Sequence, residues 1–183
     1  MAEVFLLFGV HCYGGMASTV FARSLLALEA ACAAGGIRLR TDLGGGEALV
    51  SRARAGLLAQ FLRGEATHLV IGDGDIGFAP DALLRLVHGG KPVAGAAAAD
   101  GGIAPGLLVV RRDAARTVAD AYPSLQASLR DVRGASDELA PMVFEGLIEP
   151  GTGRYLADLD AFCRRARDAG VEVFADPHLP PWR

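Results

Sequence analysis

The sequence predicts an α/β fold built on a central, mainly parallel β-sheet. Short apolar runs are each followed by glycines or acidic residues, as is typical of buried strands that end in turns. Segments with helical spacing of apolar residues separate these runs, and strands that alternate with helices favour parallel pairing. Hydrophobic residues make up 51% of the 183 residues, which is enough for a sizeable core. Since no linker or internal repeat divides the chain, we expect a single compact domain over residues 1–183.

The first part of the chain predicts two strands and two helices. Residues 4–10 form an apolar run that ends in HCYGG, which is typical of a buried strand followed by a glycine loop. Residues 17–34 are rich in Ala and Leu and end at two glycines, so they predict a helix. Residues 37–42 predict a second strand. Over residues 47–63, apolar residues recur at helical spacing, which predicts a helix that faces the core.

The middle of the chain continues the same alternation. Residues 68–72 predict a strand that runs into the sequence DGD. A proline at its first position begins the helix predicted over residues 80–88, because proline suits the first helical turn. Residues 93–97 and 103–110 predict two more strands, and residues 113–122 predict the helix that follows them.

The last part of the chain is less regular. Residues 123–153 lack clear periodicity, so we expect a long loop there, of the kind that is often functional in a compact domain. Residues 155–169 predict the last helix, and residues 171–175 predict the last strand.

Charge and cysteine content exclude several classes of protein. The chain has 18 Lys and Arg against 21 Asp and Glu, and a nucleic-acid binder usually carries a basic surplus, so we expect no nucleic-acid partner. Three widely spaced cysteines form no CxxC pair, which favours a reduced, cytoplasmic protein. The first apolar run is too short to cross a bilayer, so we expect no membrane span.

Two aspartates follow the strand at residues 68–72. Asp73 and Asp75 come at its carboxyl end, where open α/β sheets place their ligands. Closely spaced carboxylates suit Mg²⁺ or Mn²⁺, and Mg²⁺ typically takes further ligands from substrate phosphates. A plain turn before the next helix is the alternative. A phosphatase of the haloacid-dehalogenase type is disfavoured, because Gly77 stands where that family has Thr or Val.

Arg54 is unusual because it lies beside the apolar stripe of the helix predicted over residues 47–63. An arginine in this position either extends to the rim of the core or pairs with an acid. Pairing with Asp73 or with a ligand phosphate would be functional, and both alternatives stay open.

Several segments resemble small bacterial and phage glycosyltransferases of the GT-A fold, similar to family 2. The segment ATHLVIGDGDIGF at residues 66–78 resembles the metal-binding strand of that group. Four further segments occur in the same order as in the group: CYGGM at 12–16, EALVSRAR at 47–54, VVRRD at 109–113 and GTGRYLADLDAFCRR at 151–165.

This resemblance implies a GT-A-like sheet and a nucleotide-diphosphate sugar as the donor, with an acceptor that the sequence does not identify. It implies a divalent metal ion, Mn²⁺ or Mg²⁺, on Asp73 and Asp75. It also implies nucleotide contacts from residues of the glycine loop, the following helix and the strand end, namely Tyr13, Gly14, Gly15, Arg52, Arg54 and Asp73.

The general base of the group maps onto the first turn of the last predicted helix. Asp158 takes the first acidic place, but Leu159 stands where the family usually has a second acid. Asp160 is the substitute, so Asp158 and Asp160 are the candidate catalytic residues. Alternatively, both are solvated acids that the helix dipole favours near a helix start.

The chain departs from the family pattern at three places. Ala55 replaces an Asn after the second Arg, Leu159 replaces an acid, and the sequence ends at Arg183 before a Gly-His pair that often supplies a metal ligand. These departures favour the alternative of a degenerate, non-catalytic relative that binds a nucleotide or a partner protein. A metal-dependent phosphatase or nucleotidyltransferase is the third hypothesis.

Overall fold

The computed structural model describes residues 3–130 and 139–179. The central sheet has six strands, which are β1 (Phe5–Cys12), β2 (Arg38–Gly45), β3 (His68–Asp73), β4 (Val93–Ala97), β5 (Ile103–Arg111) and β10 (Val173–Asp176). Their order across the sheet is β10-β4-β5-β3-β1-β2. β5 runs antiparallel to both of its neighbours, and every other neighbouring pair is parallel. The predicted mainly parallel α/β sheet is therefore confirmed.

Five helices cover the two faces of this sheet, and they are α1 (Thr19–Ala34), α2 (Val50–Arg63), α3 (Pro80–His88), α4 (Arg112–Ala121) and α5 (Asp158–Asp168). Alternate residues of a strand point to opposite faces. Leu7 of β1 thus packs with Leu58 of α2 and Phe162 of α5 on one face. Phe8 packs with Phe21 of α1 and with α3 on the other face. Burial on both faces explains why the central strands are continuous apolar runs.

The segment predicted as a long loop, residues 123–153, contains short strands, so that prediction is wrong in part. β6 (Gln126–Ser128) pairs with β7 (Leu139–Pro141), and β8 (Leu147–Ile148) pairs with β9 (Tyr155–Leu156). Phe144 is fully buried and stacks on Phe162, with ring centroids 4.6 Å apart. Strands of two or three residues are too short to show an alternating pattern in the sequence.

Two predicted helices begin three residues later than expected. The helix predicted over residues 155–169 begins at Asp158, because Tyr155 and Leu156 pair with β8 instead. The helix predicted over residues 47–63 begins at Val50, because Glu47 folds back and accepts a hydrogen bond from the Leu49 amide at 2.9 Å.

Within residues 3–130 and 139–179, none of the helices combines the length and the apolar character that crossing a bilayer requires.

Candidate functional site

The site lies at the carboxyl ends of β1, β2 and β3, on the face that α2 covers. His11 of β1 is in register with Gly44 of β2 and with Asp73 of β3. Residues in register on parallel strands point to the same face, so these three residues form one row beneath α2. The apolar strand β3 therefore delivers the half-buried Asp73 carboxylate to the place where α2 begins.

Arg54 connects this row to a distant part of the chain. Only 6% of its side chain is exposed, and its Nη2 donates to Asp73 Oδ1 at 2.6 Å. Its Nη1 donates to Asp158 Oδ2 at 2.5 Å. Of the alternatives that the sequence left open for Arg54, pairing with an acid is the one observed. The pairing with Asp158 was not predicted, because an ion pair between residues so far apart in sequence leaves no local signal.

Burial raises the pKa of Asp73 above its ordinary value, because removal from water disfavours the charged carboxylate. The charge of Arg54 and its hydrogen bond oppose this rise. The neighbouring charges of Asp75 and Asp158 add to it. The three carboxylates are therefore close enough to interact electrostatically around one buried arginine.

Asp158 is the first residue of α5, with 26% of its side chain exposed. Its Oδ1 accepts a hydrogen bond from the Leu159 amide at 2.8 Å, so both of its oxygens have protein partners. Leu159 is buried in the core beside Phe162, which explains an apolar residue where the family has an acid. Asp160 is exposed on the same turn, and it has no ion-pair partner in the part of the chain that the structure describes.

Arg52 lies one half-turn before Arg54 and pairs locally. Its Nε and Nη2 donate to the two Glu47 oxygens at 2.7 Å and 2.8 Å. Glu47 is 7% exposed, and the Arg52 hydrogen bond lowers the pKa of its carboxyl. The backbone carbonyl of Glu47 also forms a hydrogen bond with His11 Nε2, which ties this turn to β1. Sequence reasoning treated Glu47 as a helix start and missed its structural role.

A cavity of about 420 Å³ lies between α2 and the ends of β1, β2 and β3. Its polar lining includes both arginines and further residues of the strands, the helix and the turn before it, namely His11, Asp42, Glu47, Arg52, Arg54, Gln60 and Arg63. Asp42 was not singled out from the sequence. Its position next to Gly9 in the β1–β2 register becomes apparent only once the pairing of these strands is known.

The glycine loop after β1 is a 3-10 turn over Tyr13–Gly15. Gly14 and Gly15 have φ values of 74° and 72°, which side chains other than glycine rarely adopt. Tyr13 is 70% exposed. As far as the described residues go, the lining of the cavity includes none of Tyr13, Gly14, Gly15, Asp73, Asp75 and Asp158.

Asp73 and Asp75 are the candidate ligands of a divalent cation. Asp75 is exposed in the turn after β3, and its negative charge adds to the rise in the pKa of Asp73. Within residues 3–130 and 139–179, no group of three or more His, Cys, Asp or Glu side chains is placed to hold a metal ion. Of the two candidate carboxylates, that of Asp73 is already paired with Arg54.

Ala55, which stands where the family has Asn, is fully buried. It packs with Ala59 of α2, with Leu129, which follows β6, and with Ala140 of β7. The small apolar residue is thus explained by the way the β6–β7 ribbon packs on α2.

The structure has similarities to solved structures. One is a crystal structure of a glycosyltransferase involved in the glycosylation of the major capsid of PBCV-1, with a TM-score of 0.45, 13% identity, and coverage of 72% of this chain and 69% of that chain. A second is a putative nucleotide-diphospho-sugar transferase from Desulfovibrio desulfuricans G20, with a TM-score of 0.47 and 16% identity. The match covers 97% of this chain and 80% of that chain. A third is A197 from STIV, with a TM-score of 0.47 and 10% identity. The match covers 95% of this chain and 82% of that chain.

No family model matches the chain, and no curated protein matches it. Two of these three structures are described as sugar transferases.

Proposed function

We propose that this chain transfers a sugar from a nucleotide-diphosphate donor to the hydroxyl group of an acceptor. One observation carries the proposal. The Arg54 guanidinium holds Asp73 at 2.6 Å and Asp158 at 2.5 Å. Asp73 is the candidate residue on the donor side, and Asp158 is the candidate base. A transferase needs these two groups close together, because the acceptor oxygen must reach the carbon that the diphosphate leaves.

The donor side of the proposed site is the cavity under α2. Arg52 and Arg54 line it, and Arg52 is the proposed nucleotide contact on the helix, because Arg54 is held by Asp73 and Asp158. The exposed Tyr13 offers a ring that a nucleobase could stack on, and Gly14 and Gly15 let the backbone approach the ligand. Asp73 and Asp75 would hold Mn²⁺ or Mg²⁺ beside the diphosphate. A divalent cation in that place supplies Lewis-acid stabilisation of the charge on the leaving group.

The acceptor side centres on Asp158, with Asp160 as the second candidate base. The proton of the acceptor hydroxyl passes to the Asp158 carboxylate while the acceptor oxygen forms a bond to the anomeric carbon. The bond from that carbon to the diphosphate oxygen breaks, and its electron pair leaves with the nucleoside diphosphate. The contact of Asp158 with Arg54 supports its assignment over the exposed Asp160.

A protein that binds a nucleotide without transferring a sugar is the second candidate. It is favoured by the hydrogen bonds that engage both oxygens of Asp158, since they leave fewer lone pairs to accept a proton from an acceptor.

The release of nucleoside diphosphate from a panel of UDP- and GDP-sugars, measured with Mn²⁺ present, tests the proposal. We expect release by the wild type and a loss on the order of 100-fold or more in Asp158→Asn, as for removal of a general base. Asp160→Asn is the matched control on the same helical turn, and it should retain most of the activity. Release that is unchanged in Asp158→Asn would reject this residue as the base, and donor binding without release would favour the second candidate.

A further inference from the structure

Arg54 contacts two elements that are far apart in sequence, the end of β3 and the start of α5. We infer that Arg54 is a positioning residue, which fixes Asp158 for proton transfer by holding it and Asp73 on one guanidinium group. This inference rests on the proposed function and assigns a role beyond the nucleotide contact that the sequence resemblance implies.

The first argument is geometric. The guanidinium group is planar and rigid, so its two terminal nitrogens set the relative placement of the two carboxylates that they bind. Both contacts have the short lengths of charge-assisted hydrogen bonds, 2.5 Å to Asp158 and 2.6 Å to Asp73. The second oxygen of Asp158 is held by the Leu159 amide. Because both of its oxygens are held, the Asp158 carboxyl group cannot rotate freely, and the orientation of its plane is fixed.

The second argument concerns charge. Arg54 carries one positive charge and faces two carboxylates, so the group of three has a net negative charge when all are ionised. Such a group attracts a diphosphate poorly by itself. The positive charge of Arg54 is thus balanced by the two aspartates. Little of it is left to attract an anionic nucleotide, which favours a positioning role over anion binding.

The third argument separates positioning from folding. α5 is anchored independently of Arg54, because Leu159 and Phe162 are buried in the core and Phe162 stacks on Phe144. Asp73 and Asp158 keep 35% and 26% of their side chains exposed, so water can solvate them when Arg54 is replaced. We therefore expect variants at Arg54 to fold and to show a defect in the transfer step.

The test is a double-mutant cycle on Arg54→Met, Asp158→Asn and the combined variant. Nucleoside diphosphate release gives kcat, and calorimetric titration with the UDP- or GDP-sugar that the wild type binds gives the donor Kd. Arg54→Met should lower kcat on the order of 10- to 100-fold, the scale of a misplaced catalytic group, while the donor Kd changes less than threefold. The combined variant should be no slower than Asp158→Asn alone, because Arg54 acts through Asp158.

Arg54→Lys is the second variant, and it is used if Arg54→Met fails to fold. It keeps the positive charge but presents a single nitrogen, so kcat should fall while the donor Kd is preserved. Arg38→Met, an arginine on β2 that lies over the Phe5 ring, is the control, and it should leave kcat and Kd unchanged.

Two results would overturn the inference and leave the proposed function standing. One is an increase in the donor Kd at retained kcat, which would make Arg54 a nucleotide contact only. The other is a combined variant whose loss in kcat equals the product of the losses in the two single variants. A folded wild type that binds none of the donors, or binds one without releasing nucleoside diphosphate, would instead reject the proposed transferase and the inference together.

Discussion

Arg52 and Arg54 lie two residues apart on α2, yet they are used in different ways. Arg52 pairs with Glu47, which is close in sequence, and 38% of its side chain is exposed. Arg54 pairs with Asp73 and Asp158 from distant elements, and 6% of its side chain is exposed. The Arg52–Glu47 pair fastens the turn before α2, whereas Arg54 joins the two halves of the proposed site. The role of each arginine is set by its burial and by how far along the chain its partners lie.

The largest difference between the two pairs should appear when one acid of each is neutralised. Asp73→Asn removes a proposed cation ligand, so the affinity for a UDP- or GDP-sugar with Mn²⁺ should fall at least about tenfold, on the scale of a lost charged contact. Glu47→Gln should change that affinity less, because Glu47 is not a proposed cation ligand and acts on the donor only through Arg52. Calorimetric titration of both variants measures this contrast, and an equal loss in both would contradict it.

Replacing each arginine with methionine should separate their contributions to stability. Arg54→Met leaves two partly buried acids without their cation, and we expect a loss of roughly 2–3 kcal/mol, below the usual cost for a fully buried pair because both acids are partly exposed. Arg52→Met should cost about 1 kcal/mol, since Arg52 is half-exposed. Urea denaturation of the two variants gives these free energies of unfolding, and a larger loss in Arg52→Met would reverse our ranking.

Gly9 tests how α2 packs on β1, the packing that places Arg54. A Cβ at Gly9 would lie 2.1 Å from Leu57 Cδ2, so in Gly9→Ala the Leu57 side chain or α2 itself has to move. We expect a loss of about 1–3 kcal/mol in the free energy of unfolding, typical of overpacking. Gly44→Ala is the matched control on β2, because its nearest contact would be at 3.9 Å. Thermal denaturation that finds the two variants equally stable would show that α2 is not held where we describe it.

The smallest expected effect concerns pH. The pKa of Glu47 is lowered from its ordinary value of 4.5, chiefly by the hydrogen bond from Arg52, so its ionised form stabilises the fold above that value. This stabilisation is lost as the pH falls through the lowered pKa. The stability difference between wild type and Glu47→Gln should therefore be present at pH 6 and shrink below about pH 4.

The contribution of Asp73 to stability should change with pH in the opposite direction. Burial raises its pKa, so its protonated form is the more stable in the folded protein, and this contribution is present at low pH and lost as the pH rises through the raised pKa. Denaturation of Asp73→Asn between pH 3 and pH 7 measures the contrast with Glu47→Gln, and pH profiles of the same sign would contradict it.

The regular elements could be predicted from the sequence because each carries a local signal. The helix at residues 80–88 and the strand at residues 93–97 have the predicted bounds, since a proline and glycines punctuate them. Residues 147–148 and 155–156 carried no such signal, because two-residue strands show no period. Asp73 could be nominated by its position after a strand, and Asp158 by the resemblance of its segment to the glycosyltransferases. Arg54 could be singled out beside the apolar stripe of its helix, but its bridging of both acids could not be predicted, because that depends on how α2, β3 and α5 meet.

Calorimetric titration of the wild type with UDP- and GDP-sugars, with and without Mn²⁺, tests the central claim most directly. We predict saturable binding of at least one donor, strengthened by Mn²⁺ through Asp73 and Asp75. A folded protein that shows no heat of binding with any donor, whether or not the cation is present, would contradict the account.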